Sequence, residues 1–81
     1  MNKSEKELVL ISTEFNLTNY GNFYFKDADG KIYHWYTASD KAYEEMEVDG
    51  KYLCKFVENG SKFNSKYGTT YAISNVRFKT L

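Results

Sequence analysis

Six of the fourteen residues from Phe23 to Tyr36 carry aromatic rings, and His34 stands among them around an Asp29-Gly30 turn. Rings at that density can fill a core or present a surface on which flat partners stack. The segment reads as a β-hairpin, and six rings exceed what one face of a small hairpin needs for its interior. Two registers are open. A two-residue loop at Asp29-Gly30 sets Ala28 opposite Lys31 and Phe25 opposite His34. A three-residue loop, Ala28-Asp29-Gly30 with Gly30 left-handed, pairs Asp27 with Lys31, Phe25 with Tyr33 and Phe23 with Trp35. The second is preferred, because the first would bury His34 among apolar rings. It assigns Phe23, Phe25, Tyr33 and Trp35 to the core and puts Tyr24, Lys26, Ile32, His34 and Tyr36 on the opposite face.

Other chemistry finds little support. His34 and Cys54 are the only residues of their types, so no metal-ligand spacing is apparent. No nucleophile has a plausible base, and no glycine loop could cradle a phosphate. The expectation is a non-enzyme with no catalytic residues, no metal and no cofactor. Cys54 lies in an alternating segment and reads as a small buried residue. A lone thiol and the absence of a signal peptide or membrane span predict a cytoplasmic protein.

The formal net charge is zero, yet the charges are not evenly spread. Asp40 to Asp49 holds five acids and one base, a balance of −4, while Asn59 to Leu81 holds four bases and no acid, a balance of +4. Such a dipole fits a modest basic groove but not the strong basic footprint of a duplex binder.

Eighty-one residues make one domain, 1–81, near the lower size at which a single core holds unaided. Residues 1–6 are expected to be disordered. The composition is that of strands, rich in Tyr, Phe, Val and Thr and free of proline. Five are expected: about Glu7 to Leu17, the two arms of the hairpin, about Lys51 to Glu58, and about Thr69 to Lys79. Asn19 to Asn22 reads as a turn with Gly21 at positive φ, and Asn59 to Gly68 reads as a polar loop. Ser39 to Met46 is the one helix candidate, capped by Ser39 or Asp40, with Ala42 and Met46 on one face. Three strands, a short helix and two strands predict an all-β, five-stranded Greek-key barrel with the helix between strands three and four.

Several segments carry a resemblance. They are Tyr20-Gly21-Asn22-Phe23-Tyr24-Phe25-Lys26, Asp29-Gly30-Lys31-Ile32-Tyr33-His34-Trp35-Tyr36-Thr37, Val48-Asp49-Gly50-Lys51, Lys66-Tyr67-Gly68-Thr69-Thr70 and Val76-Arg77-Phe78-Lys79. Over roughly Phe15 to Lys79 the chain resembles small OB-fold domains of phage and mobile-element proteins associated with replication and single-stranded DNA binding. The resemblance implies a contact surface on strands two and three and on the loops that join strands one to two and four to five. In this sequence those positions are Tyr20, Tyr24, Lys26, His34, Tyr36, Lys62, Phe63, Lys66 and Tyr67. Rings would stack on bases while lysines neutralise phosphates, so single-stranded DNA or RNA would be bound with little sequence preference. The rival expectation is an accessory or inhibitory subunit that uses the same face for a protein partner or a second copy of itself. Neither a membrane nor a catalysed reaction is expected.

Overall fold

The computed structural model describes residues 2–15 and 20–81. Its elements run β1 (Asn2–Phe15), β2 (Gly21–Lys26), β3 (Ile32–Thr37), α1 (Asp40–Glu45), β4 (Lys51–Ser65) and β5 (Gly68–Thr80). The turn between β2 and β3 sets the register of everything around it. Asp27 N donates to Lys31 O, Gly30 N donates to Asp27 O, and Gly30 takes φ 88°, which a side chain would resist. Asp27 Oδ1 also accepts from the backbone N–H groups of Asp29 and Lys31, each at 2.9 Å. The three-residue register follows: Phe23 faces Trp35, Tyr24 faces His34 and Phe25 faces Tyr33.

The strands close in the order β1-β2-β3-β5-β4, with β3 parallel to β5 and every other pairing antiparallel. This is a closed five-stranded barrel of OB-like form, with its one short helix between β3 and β4. The interior holds Leu8 and Leu10 of β1, Phe23 and Phe25 of β2, Tyr33 and Trp35 of β3, Tyr52, Cys54 and Phe56 of β4, and Ile73 of β5. Those positions alternate along each strand, as one buried face requires. In α1, Ser39 Oγ accepts from Ala42 N and caps the first turn, and Ala42 and Met46 join the core four residues apart. Tyr52 ties the helix end to β4, its hydroxyl accepting from Glu47 N and donating to Glu45 O.

Three expectations are corrected. β1 starts at Asn2 and not near Glu7, because residues 2–9 pair antiparallel with residues 51–58 of β4 and so close the barrel. Residues 2–6 are therefore part of a strand, while the expected strand end at Leu17 lies outside the described residues. Gly21 is the first residue of β2 and its φ is not positive. Its lack of a side chain serves close approach instead: a Cβ there would meet the Phe15 ring at 2.8 Å and the Tyr43 hydroxyl at 3.0 Å. Residues 59–68 are not a loop but mostly the outer arm of a long β4–β5 hairpin, interrupted by a bulge between Glu58 and Lys62 and turned at Lys66-Tyr67. Backbone pairing satisfies polar residues that composition alone assigns to a loop.

Candidate functional site

Alternation sends Asn22, Tyr24 and Lys26 of β2, and Ile32, His34 and Tyr36 of β3, to the outer face of the barrel wall. The rings on that face touch one another in sequence. Tyr20 stacks on Tyr36 with centroids 4.9 Å apart and planes 15° apart. Tyr36 neighbours His34 at 6.5 Å, His34 neighbours Tyr24 at 5.1 Å, and Tyr24 meets Tyr67 at 5.0 Å. Phe63 adds its edge to His34 at 5.2 Å. Six of the nine expected residues thus form one run of rings, from Tyr20 at one end to Tyr67 at the other.

Their exposures divide them. Tyr36, Tyr20 and Phe63 are 50%, 42% and 40% exposed, whereas Tyr24 is only 9% exposed. Tyr24 was expected to face outward and open; it does face outward, but the β4–β5 arm brings Tyr67 over it. Hydroxyl groups lock that arm: Ser65 Oγ accepts from Tyr67 N at 3.1 Å and shares a hydrogen bond with Thr70 Oγ1 at 2.7 Å. Burial raises the Tyr24 hydroxyl above its ordinary pKa, with Glu14 and Tyr67 adding to the shift. Tyr24 supports the surface, and Tyr20, Tyr36 and Phe63 offer it.

His34 belongs to the run as a flat neutral ring. Its Nε2–H donates to Asn22 Oδ1, and burial lowers its pKa below the ordinary histidine value, against a weaker upward pull from Glu14. It therefore contributes no positive charge near neutral pH.

The lysines are less concentrated than the sequence reading expects. Lys66 Nζ sits 5.3 Å from the Tyr67 ring centroid but also 2.9 Å from Glu14 Oε1, so an acid offsets its charge. Lys62 lies across from Tyr71 on the arm, next to Phe63 in sequence and hence on the arm's other side. Lys26 stands at the far end of the outer face, over a separate groove lined by Val9, Ile11, Ala28 and Lys51.

Sequence reasoning missed Phe15, Tyr43, Asn22 and Glu14. Phe15, 57% exposed, stacks on Tyr43 of α1 at 4.6 Å with planes 27° apart. Desolvation raises the Tyr43 hydroxyl above its ordinary pKa, and Asp40 and Tyr36 push it further. A signal for Phe15 was present. Phe15 faces Gly21 across the β1–β2 ladder, and an aromatic ring commonly covers the bare backbone of a cross-strand glycine.

Among the described residues, no three His, Cys, Asp or Glu side chains come together as a metal would require, and no helix is long and apolar enough to cross a membrane. Comparison of the chain with protein-family models, with curated proteins and with solved structures finds no match in any of the three.

Proposed function

We propose that this protein is a non-catalytic binding module that takes single-stranded nucleic acid by stacking bases on its outer ring run. The observation that supports this reading best is the exposed, near-parallel Tyr20–Tyr36 pair, continued by His34 and Phe63. A base inserted against either open ring gains about 1–3 kcal/mol whatever its identity. The single arginine of the chain, Arg77, lies on β5 and not on this face, so the binding is expected to be tolerant of sequence. On the resemblance alone, the reading extends to a replication-associated protein of a phage or mobile element, working in the cytoplasm.

A second reading has its own observation. Glu14 offsets Lys66 beside the rings, and a face whose charge is internally balanced suits a protein partner better than a polyanion. On that reading the same rings dock an enzyme or host protein that the module assists or inhibits. Fluorescence anisotropy of a labelled oligothymidine at low salt separates the two. The nucleic-acid reading expects binding that weakens in Tyr36→Ala and in Tyr20→Ala; no binding at 50 µM protein, a concentration far above the affinity such stacking should reach, would reject it.

A further inference from the structure

The opposite wall of the barrel carries a different surface. There Glu5 of β1, Lys55 of β4 and Arg77 of β5 stand in one row across three paired strands. Partners directly opposite share a face, so the Lys55 and Arg77 cations project side by side. Like charges in that position destabilise a sheet unless something neutralises them. Glu5 supplies one carboxylate, 3.6 Å from Lys55 Nζ. Among the described residues no carboxylate pairs with Arg77 or with Lys3, which projects from β1 two residues before Glu5. Three cations therefore face one acid.

The same row borders a groove of about 760 Å³, which Lys3, Glu5, Lys55, Asn75 and Arg77 line. An irregularity in the ladder opens it. Between the Lys55–Arg77 and Val57–Ser74 pairs, β5 uses three residues where β4 uses two, and Asn75 absorbs the surplus with φ 53°. The bulge bends β5 beside the Arg77 side chain and leaves a concave strip whose excess charge is +2, three cations less one carboxylate.

We propose that this groove is a phosphate-binding site for the sugar-phosphate backbone of a nucleic acid strand, distinct from the ring run on β2 and β3. Arg77 presents a planar guanidinium suited to two phosphate oxygens, while Lys55 on the neighbouring strand and Lys3 one strand further act as point charges along the same groove. Its one aromatic lining residue, Phe56, is buried in the core, so the groove offers no exposed ring to a base and reads phosphate. It is independent of the stacking face and holds whether or not that face binds.

The test uses a fluorescein-labelled abasic deoxyribose-phosphate strand, which has phosphates and no bases. The expected result is binding at low salt with a log–log salt slope of about −2, three phosphate contacts at about 0.7 each. The double variant Lys55→Gln/Arg77→Gln should weaken it by about tenfold or more and flatten the slope to about −0.7. Glu5→Gln removes the competing carboxylate and should tighten binding roughly two- to fivefold, a gain that misfolding cannot imitate. Failure of the abasic strand to bind, an unchanged affinity in the double variant, or equal binding of polyglutamate would each overturn the proposal. The stacking face is judged separately: Tyr36→Ala should leave the abasic strand unaffected and weaken only oligothymidine.

Discussion

Two tyrosines of the outer face, twelve residues apart in the chain, show how little a side chain's direction says about its role. Tyr24 and Tyr36 both point outward, and alternation from the Asp27–Lys31 turn makes that legible in the sequence. Only the folded chain reveals that Tyr67, forty-three residues beyond Tyr24, lies against Tyr24, which is 9% exposed, while Tyr36 remains 50% exposed. The two rings should therefore respond to truncation in opposite ways. Tyr24→Ala removes a buried ring and is expected to cost about 3 kcal/mol of stability, read as a lower urea midpoint. Tyr36→Ala, which loses the stack on Tyr20 but leaves the core intact, is expected to cost only about 1 kcal/mol while weakening oligonucleotide binding. A variant pair that loses stability equally would contradict the division between supporting and offered rings.

At the level of elements, the β2–β3 turn is the most tightly specified part of the fold and also its acid-sensitive part. Burial alone would raise the Asp27 carboxyl, but the Lys31 backbone N–H, the Tyr33 hydroxyl and the Asp29 backbone N–H all donate to its charged form, and Lys6 adds to them. The net result lies below the ordinary aspartate value. A carboxyl held low in the folded state stabilises the fold above its unfolded value, and that stability is lost as pH falls through the folded value. Wild type should thus lose stability steeply below about pH 4, and Asp27→Asn should flatten that limb while costing about 1–3 kcal/mol at neutral pH. Thermal melts across pH 2 to 7 would show it, pH 7 being well above the carboxylate range. The turn was readable because Asp-Gly chemistry is local. The β4–β5 arm was not, since its polar run from Asn59 carries no apolar period to mark it as paired strand.

Over the whole molecule, closure rests on the amino-terminal half of β1. Its pattern hides that role. The positions that share the inward parity of Leu8 and Leu10 are Ser4 and Lys6, opposite Phe56 and Cys54. The Lys6 amine donates to the Tyr33 hydroxyl at 3.1 Å and to Asp27 at 3.4 Å. With no apolar residue before Leu8 facing inward, the segment reads as a disordered tail, while the element order alone was enough to predict a barrel. Removing residues 2–7 should strip β4 of most of its pairing with β1 and leave the backbone groups on that edge open to another chain. Light scattering should then record more association than for the intact protein, and a truncation that is equally stable and associates no more than the intact chain would contradict the assigned closure.

Cys54 turns this architecture into a measuring device. The only thiol of the chain is fully enclosed among the core side chains, and desolvation pushes its pKa up to about 12. An alkylating reagent consequently has nothing to attack until the staves part, so the rate at which label accumulates reports that parting with no engineered probe. It gives the frequency of parting where alkylation outpaces reclosing, and the parted population where it does not. A ligand that clasps two staves should slow this clock, and one that rests on a single wall should leave it running.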